Sequence, residues 1–234
     1  MSTTLAQPAR RRRAQRGSGE QLREEIIAAA KELLANAARA DDVSIRAVAD
    51  AVGITSPSIY LHFEDKNALL GAVVADVFAD LDTAMLSAAE GLTEPLARLR
   101  AFGTTYVQFA LRHPEQYRIA AMDPCPMPDV DEVLASGAFV HFNQTVIDCM
   151  DAGIFAKGEP LPITLELWSA AHGIASLMIS KPFLPWGDPA VVIDRVLSGA
   201  ALGRAAAGLI GEDGAVLEPE DITSWLADQR ARED

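Results

Sequence analysis

The side chains best placed to do chemistry cluster in one run, Ser56-Pro57-Ser58-Ile59-Tyr60-Leu61-His62-Phe63. Pro57 suits the first position of a helix, where no amide donor is needed, and Ser56 suits the N-cap before it. Ile59, Tyr60 and Phe63 are the apolar or aromatic positions of that helix, with Phe63 expected in the core. Ser56, Pro57, Ser58, Tyr60, Leu61 and His62 are then the candidates for an outward face, although Tyr60 also reads as a partly buried spacer. Hydroxyl and apolar groups at a helix start suit the major groove, where they meet base edges and thymine methyls.

A second helix must hold that face in place. Ser44 can cap a helix whose apolar positions, Ile45, Val48, Ala49 and Val52, recur at helical spacing. Gly53 ends it, where a residue of positive φ is needed. Two helices joined by three or four residues, with a Gly in the turn, describe a DNA-binding helix-turn-helix. Glu64-Asp65 then place negative charge at the start of another helix, near Lys66.

The run from Gly53 to Phe63, followed by Asp65-Lys66 and Leu69, resembles the signature of the tetracycline-repressor (TetR) family of bacterial transcription regulators. The resemblance is dense from about Leu22 to Leu70, and the Tyr-x-His-Phe-x-x-Lys continuation makes it more specific than a bare helix-turn-helix. The loop from Ala37 to Val43 departs from the family in lacking its Gly-plus-aromatic pair. By the resemblance, Tyr60 and His62 stand at phosphate-contacting positions and Lys66 matches the family's phosphate-binding Lys. The same match places Arg46 and Thr55 against DNA, from the preceding helix and the turn.

Trp168, His172 and Gly173 resemble the Trp-x-x-x-His-Gly motif of one C-terminal domain type in that family. Trp168 and His172, four residues apart, share a helix face. Either they line a ligand pocket with His172 as polar anchor, or they form a packed face at a dimer interface, Gly173 permitting close approach. Phe102, Tyr106, Phe109, Phe139 and Phe142 read first as plain core, and second, by the resemblance, as the border of a pocket for an apolar effector.

The fold expected is all-α, with an N-terminal three-helix DNA-binding unit and a larger helical domain for ligand binding and dimerisation. Residues 1–19 form a basic arm, 20–66 the DNA-binding domain, 67–210 the ligand and dimer domain, and 211–234 an acidic tail. Helices are expected at about 20–36, 66–91, 95–113, 115–122, 130–152, 162–180 and 189–207, besides the helix-turn-helix pair. Asp123–Asp129 carries three prolines in seven residues and reads as a loop. In the tail, Ile222, Trp225 and Leu226 suggest a short amphipathic turn.

The 234-residue chain has a net charge of -13, which changes meaning when divided along its length. Residues 1–66 hold ten Lys/Arg against nine acids, so the other ten bases and 24 acids lie beyond. The first nineteen residues contain five Arg and no acid. What matters for DNA is cations near the docking face. The arm reads as a solvated extension, or as a segment that follows phosphates or enters the minor groove.

Other chemistry lacks a signature. His113, His141, Cys125 and Cys149 make neither metal-ligand spacing nor a nucleophile-base pair, and there is no HExxH, Walker-type loop or GxSxG. No catalytic residue, metal or cofactor is expected. No segment approaches the roughly 20 uninterrupted apolar residues of a membrane span, and the N-terminus lacks the apolar stretch of a signal peptide. A cytoplasmic protein follows as the expectation. The resemblance implies a repressor released from double-stranded DNA by a small-molecule effector. As a homodimer it would place two recognition helices about 34–36 Å apart on a pseudo-palindromic operator. The alternative is a small-molecule binding module whose helix-turn-helix mediates protein contact.

Overall fold

In the computed structural model the described residues are 18–36, 42–122, 136–211 and 217–232. They form helices and turns without a strand. The helices are α1 (Ser18–Ala35), α2 (Ile45–Val52), α3 (Ser56–Ile59), α4 (Lys66–Ala88), α5 (Pro95–Arg112), α6 (Pro114–Ala121), α7 (Gly137–Asp151), α8 (Pro160–Ser180), α9 (Pro189–Ile210) and α10 (Pro219–Ala231). The chain divides into two compact units, one within Met1–Asp80 and His113–Glu132, the other within Leu81–Arg112 and Val133–Asp234. The first unit thus runs past residue 66, where the sequence reading ended the DNA-binding domain, and takes in α6.

In the first unit, α1 touches α2 and α6, and α2 touches α3. Their buried side chains include Ile26, Ile27, Ala30 and Leu34 of α1, Val48 and Ala49 of α2, Ile59 of α3, and Tyr117 and Ile119 of α6. Lys31 of α1 reaches Asp76 of α4 at 2.6 Å and also pairs with Asp80. Burial alone would lower the Lys31 pKa, but the hydrogen bonds to Asp76 and Asp80 outweigh it and hold the ammonium charged.

The second unit is built on α5, α7, α8 and α9, with α5 and α8 each touching the other three. Phe102 and Val107 of α5, Val146 and Cys149 of α7, Ala175 of α8 and Ile193 of α9 form its centre. Ser136 caps α7 by accepting from the Phe139 amide. At Gly137, the first residue of α7, a Cβ would collide with the Asp82 carboxylate. That carboxylate accepts from His141 Nδ1 at 2.7 Å, the imidazole donating because a carboxylate only accepts.

Several boundaries differ from the sequence reading. α7 runs from Gly137 within the described residues, while residues 123–135, with the proline-rich loop and the helix start expected near Val130, lie outside them. α8 starts at Pro160 and α9 continues to Ile210. The tail holds a 13-residue helix where only a turn was expected. Its start is fixed locally, since Glu218 and Asp221 form a reciprocal capping box around Pro219. α10 buries no residue, so the hydrophobic period that reveals other helices is weak there.

Candidate functional site

The turn between α2 and α3 is built from backbone geometry. Gly53 takes φ 76°, and the amides of Ile54 and Gly53 bond back to the Ala49 and Asp50 carbonyls at 2.9 and 3.3 Å. This Schellman closure satisfies the last carbonyls of α2 and reverses the chain within three residues. Ser44 caps the other end, accepting from the Ala47 amide at 3.1 Å.

Thr55, not Ser56, is the N-cap of α3, at φ -98° and ψ 150°. The shift by one residue follows from Ser56 and Pro57 both adopting helical geometry. Thr55 Oγ1 hydrogen-bonds Ser58 Oγ at 2.9 Å. The regular helix is short, but the His62 and Phe63 amides bond to the Ile59 carbonyl at 2.9 and 3.0 Å and carry the coil through Tyr60-Leu61.

Neighbouring side chains then separate sharply. Ile59 and Phe63 are 0% and 4% exposed, whereas Tyr60 and Leu61 are 52% and 84% exposed. The Arg23 guanidinium lies 5.1 Å over the Phe63 ring. Pro57 and Thr55 are exposed, while Ser56, Ser58, His62 and Lys66 are partly so. Arg46 projects into solvent from α2, 3.9 Å from Asp50 one turn on. Asp65 accepts from the Ala68 amide at 2.8 Å and caps α4, so Lys66 begins a helix whose amides point outward. This face offers hydroxyls, a phenol, an imidazole, cations and a helix N-terminus, the donor set that phosphate oxygens require.

The second unit contains a half-open apolar cleft of about 380 Å³. Leu96, Leu99 and Gly103 of α5, Phe142 of α7, Leu167 of α8, and Leu197, Ala201 and Leu202 of α9 line it, with Arg100 and Ser198. A Cβ at Gly103 would stand 3.2 Å from Leu197 Cδ1, so α5 and α9 approach closely there. Arg100 Nε lies 2.6 Å from Asp194 Oδ1. Their mutual hydrogen bond raises the Arg100 pKa and lowers that of Asp194, to which Ser198 also bonds.

Of the seven residues singled out for ligand contact, Phe142 lines this cleft. Phe102, Tyr106 and Phe109 are buried along α5. Phe139, Trp168 and His172 belong to a separate aromatic cluster. Phe139 meets Trp168 edge-on at 6.3 Å, and Trp168 and His172 are 5.9 Å apart. Tyr106 Oη lies 3.3 Å from His172 Nδ1, and Ser176 Oγ 3.3 Å from Nε2. Burial lowers the His172 pKa, so the imidazole is neutral at pH 7. The sequence reading missed the leucine walls, which look like any core positions, and the Arg100–Asp194 pair, whose members lie 94 residues apart.

Cys149 is fully buried, and burial followed by the nearby Asp148 charge pushes its thiol up to about 11. In the folded protein Cys149 should therefore give no prompt reaction with a thiol reagent such as dithionitrobenzoate at pH 8, reacting only after denaturant is added. Rapid stoichiometric labelling of Cys149 in the native state, mapped by mass spectrometry, would contradict this. Cys125 lies outside the described residues. Among the described residues no cluster of His, Cys, Asp and Glu could hold a metal ion, and no helix is long and apolar enough to cross a membrane.

A helix-turn-helix with an exposed reading face, joined to a helical unit with a cleft, defines a DNA-binding transcription regulator. Residues 26–73 match the family of bacterial regulatory proteins, tetR family, and residues 99–200 match the tetracyclin repressor-like C-terminal domain. The chain belongs to the TetR family. It is 28% identical over 170 residues to an uncharacterized HTH-type transcriptional regulator of Mycobacterium tuberculosis, covering 72% of this chain and 73% of that one. A solved structure of a protein of unknown function from Rhodococcus sp. RHA1 is similar at 26% identity and TM-score 0.67, over 79% of this chain and 95% of that one. RolR in complex with resorcinol shares the fold at 18% identity and TM-score 0.60, over 86% and 97% of the two chains. Family membership places the protein among transcriptional regulators and not among enzymes.

Proposed function

We propose that the protein is a repressor that binds a pseudo-palindromic operator as a homodimer and leaves it when a small molecule occupies the second unit. The observation that carries the reading is the split at α3, where Ile59 and Phe63 anchor the coil while Tyr60 and Leu61 face solvent beside Thr55, Arg46 and Lys66. In this reading Ser56, Pro57, Ser58 and Leu61 meet base edges, whereas Arg46, Thr55, Tyr60, His62 and Lys66 hold phosphates. Residues 20–66 read the DNA, 67–210 bind effector and dimerise, and the five Arg of 1–19 supply an arm. An operator-binding regulator works in the cytoplasm, where bacterial DNA lies.

The dimer reading is supported by exposed apolar positions on the last two long helices of the second unit. Leu165 and Leu177 of α8, with Leu209 of α9, are solvent-facing in the single chain. Gly173, Gly199 and Gly203 leave open space around their Cα atoms, which suits close approach by another helix. Ligand responsiveness is supported by the cleft and by the fold shared with RolR, which holds resorcinol in its own structure. Release requires the effector to bind one conformer of the dimer more tightly than the other.

The test is selection of bound fragments from the source genome with purified protein, followed by sequencing. A recovered palindrome with half-sites about one helical turn apart is expected. On that operator, Tyr60→Ala and Lys66→Ala should weaken binding with unchanged circular dichroism, and Lys66→Ala should reduce the slope of log affinity against log salt by about one. Unchanged affinity in both variants at matched salt would count against the assignment. If the helix-turn-helix instead contacts protein, no fragment is enriched and salt dependence is shallow.

A further inference from the structure

The cleft carries a charge arrangement that decides which molecules it admits. Its walls are hydrocarbon, with Leu99, Phe142, Leu167 and Leu197 facing the space. Arg100, the charged residue among the described lining, has its Nε 2.6 Å from Asp194 Oδ1. The mouth thus presents two opposite charges already joined, and Ser198, one turn beyond Asp194, adds a hydroxyl to the lining. We propose that this cleft is the effector site and takes an uncharged, mainly hydrocarbon molecule with one neutral polar group. In this arrangement the Arg100–Asp194 pair discriminates against charged amphiphiles.

This rests on the reading that the second unit binds an effector, and adds where and what. A carboxylate ligand at Arg100 gains little net attraction, because the Asp194 carboxylate already holds the guanidinium Nε at 2.6 Å and repels a second anion. An ammonium ligand at Asp194 is opposed by the Arg100 charge in the same way. Placing either charge deeper among the leucines costs more than the hydrocarbon burial returns. A neutral molecule disturbs neither partner, and its hydroxyl or carbonyl can meet Ser198. The net acidity of the chain does not alter this, because selectivity is set by the groups at the mouth. The Trp168–His172 cluster is the weaker candidate, since Phe139, Tyr106 and Ser176 already occupy the space around it.

The experiment uses the full chain and a neutral fluorescent probe, N-phenyl-1-naphthylamine, displaced by 1-octanol, octanoate or octylamine at pH 7. These competitors share a chain length and differ in head-group charge. Octanol should displace the probe at concentrations roughly tenfold below either charged competitor, a difference set by the opposing pair. Asp194→Asn frees Arg100, so octanoate should gain roughly tenfold, and Arg100→Gln frees Asp194, so octylamine should gain by a similar factor. Ala97→Trp, at an exposed position of the lining, should block probe binding with the circular dichroism unchanged. Any of four results overturns the proposal: no probe binding, charged competitors matching octanol, variants that leave the order unaltered, or Ala97→Trp binding the probe as before. Sedimentation showing that only monomer takes up the probe would also overturn it, because a second copy of the chain would then fill the cleft. Operator binding measured on the same preparations keeps the two readings apart. Its loss with probe selectivity intact breaks the repressor reading alone, and its retention without selectivity breaks the cleft assignment alone.

Discussion

Phe63→Ala should abolish operator binding although its ring lies on the inner side of the DNA-reading segment. The ring is 4% exposed, and a buried Phe replaced by Ala costs about 3–5 kcal/mol. A further contribution of about 0.5–1 kcal/mol goes with the Arg23 guanidinium stacked over it. Those losses fall on a small unit whose reading helix spans only Ser56–Ile59. A helix of that length has no stability of its own, because its single turn is held by the side chains that anchor its two ends. Ile59 anchors one side and Phe63 the other, so removing the ring releases Tyr60 and Leu61 from their outward setting. Urea denaturation followed by far-ultraviolet circular dichroism should show an early transition absent from the parent protein. Tyr60→Ala provides the contrast, with weakened binding and a normal transition. A Phe63→Ala protein with parental stability and parental operator affinity would refute the anchoring argument.

The parts of the fold that rest on short-range chemistry were legible in the sequence. Gly53 announced the left-handed residue that closes α2, Ser44 its N-cap, and Glu64-Asp65 the start of α4, because each acts on amides or carbonyls within a few residues. The cap of α3 moved from Ser56 to Thr55 because both residues favour that role and the choice lies in backbone angles. α10 was underestimated since its start is fixed by capping and its sides bury nothing, leaving little hydrophobic period to read. The cleft was not legible. Its leucines have the same types and spacings as core leucines, and whether a side chain faces another helix or a void depends on the packing of α5 against α9. Arg100 and Asp194 likewise meet only through that packing. Trp168 and His172 were visible as a pair on one face, but their surroundings, Phe139 from α7 and Tyr106 from α5, come from distant segments.

That surrounding decides the second large effect. Trp168→Ala should destabilise the second unit by about 3 kcal/mol, the lower end for an aromatic truncated to Ala, because part of the indole remains accessible. The loss comes from its contacts with Phe139 and His172. It should also change how stability responds to pH. His172, whose ordinary pKa is 6.5, is held lower by burial, so the unfolded chain takes up a proton there before the folded protein does. Its contribution is complete above the ordinary value and is lost as pH falls from about 6.5 toward the folded-state pKa. The parent protein should therefore unfold at lower denaturant concentration at pH 5.5 than at pH 7.5, with His172→Gln showing a smaller difference. In Trp168→Ala water gains access to the imidazole one turn along α8, its pKa returns toward 6.5, and the pH difference shrinks as well. Denaturation at both pH values, with the His172 resonance followed by NMR titration, measures both consequences. Sedimentation separates them from a role at the dimer interface. A Trp168→Ala protein that stays dimeric, loses stability and brings the His172 pKa upward fits the internal cluster. A protein that becomes monomeric while His172 titrates as in the parent assigns Trp168 to the subunit contact instead.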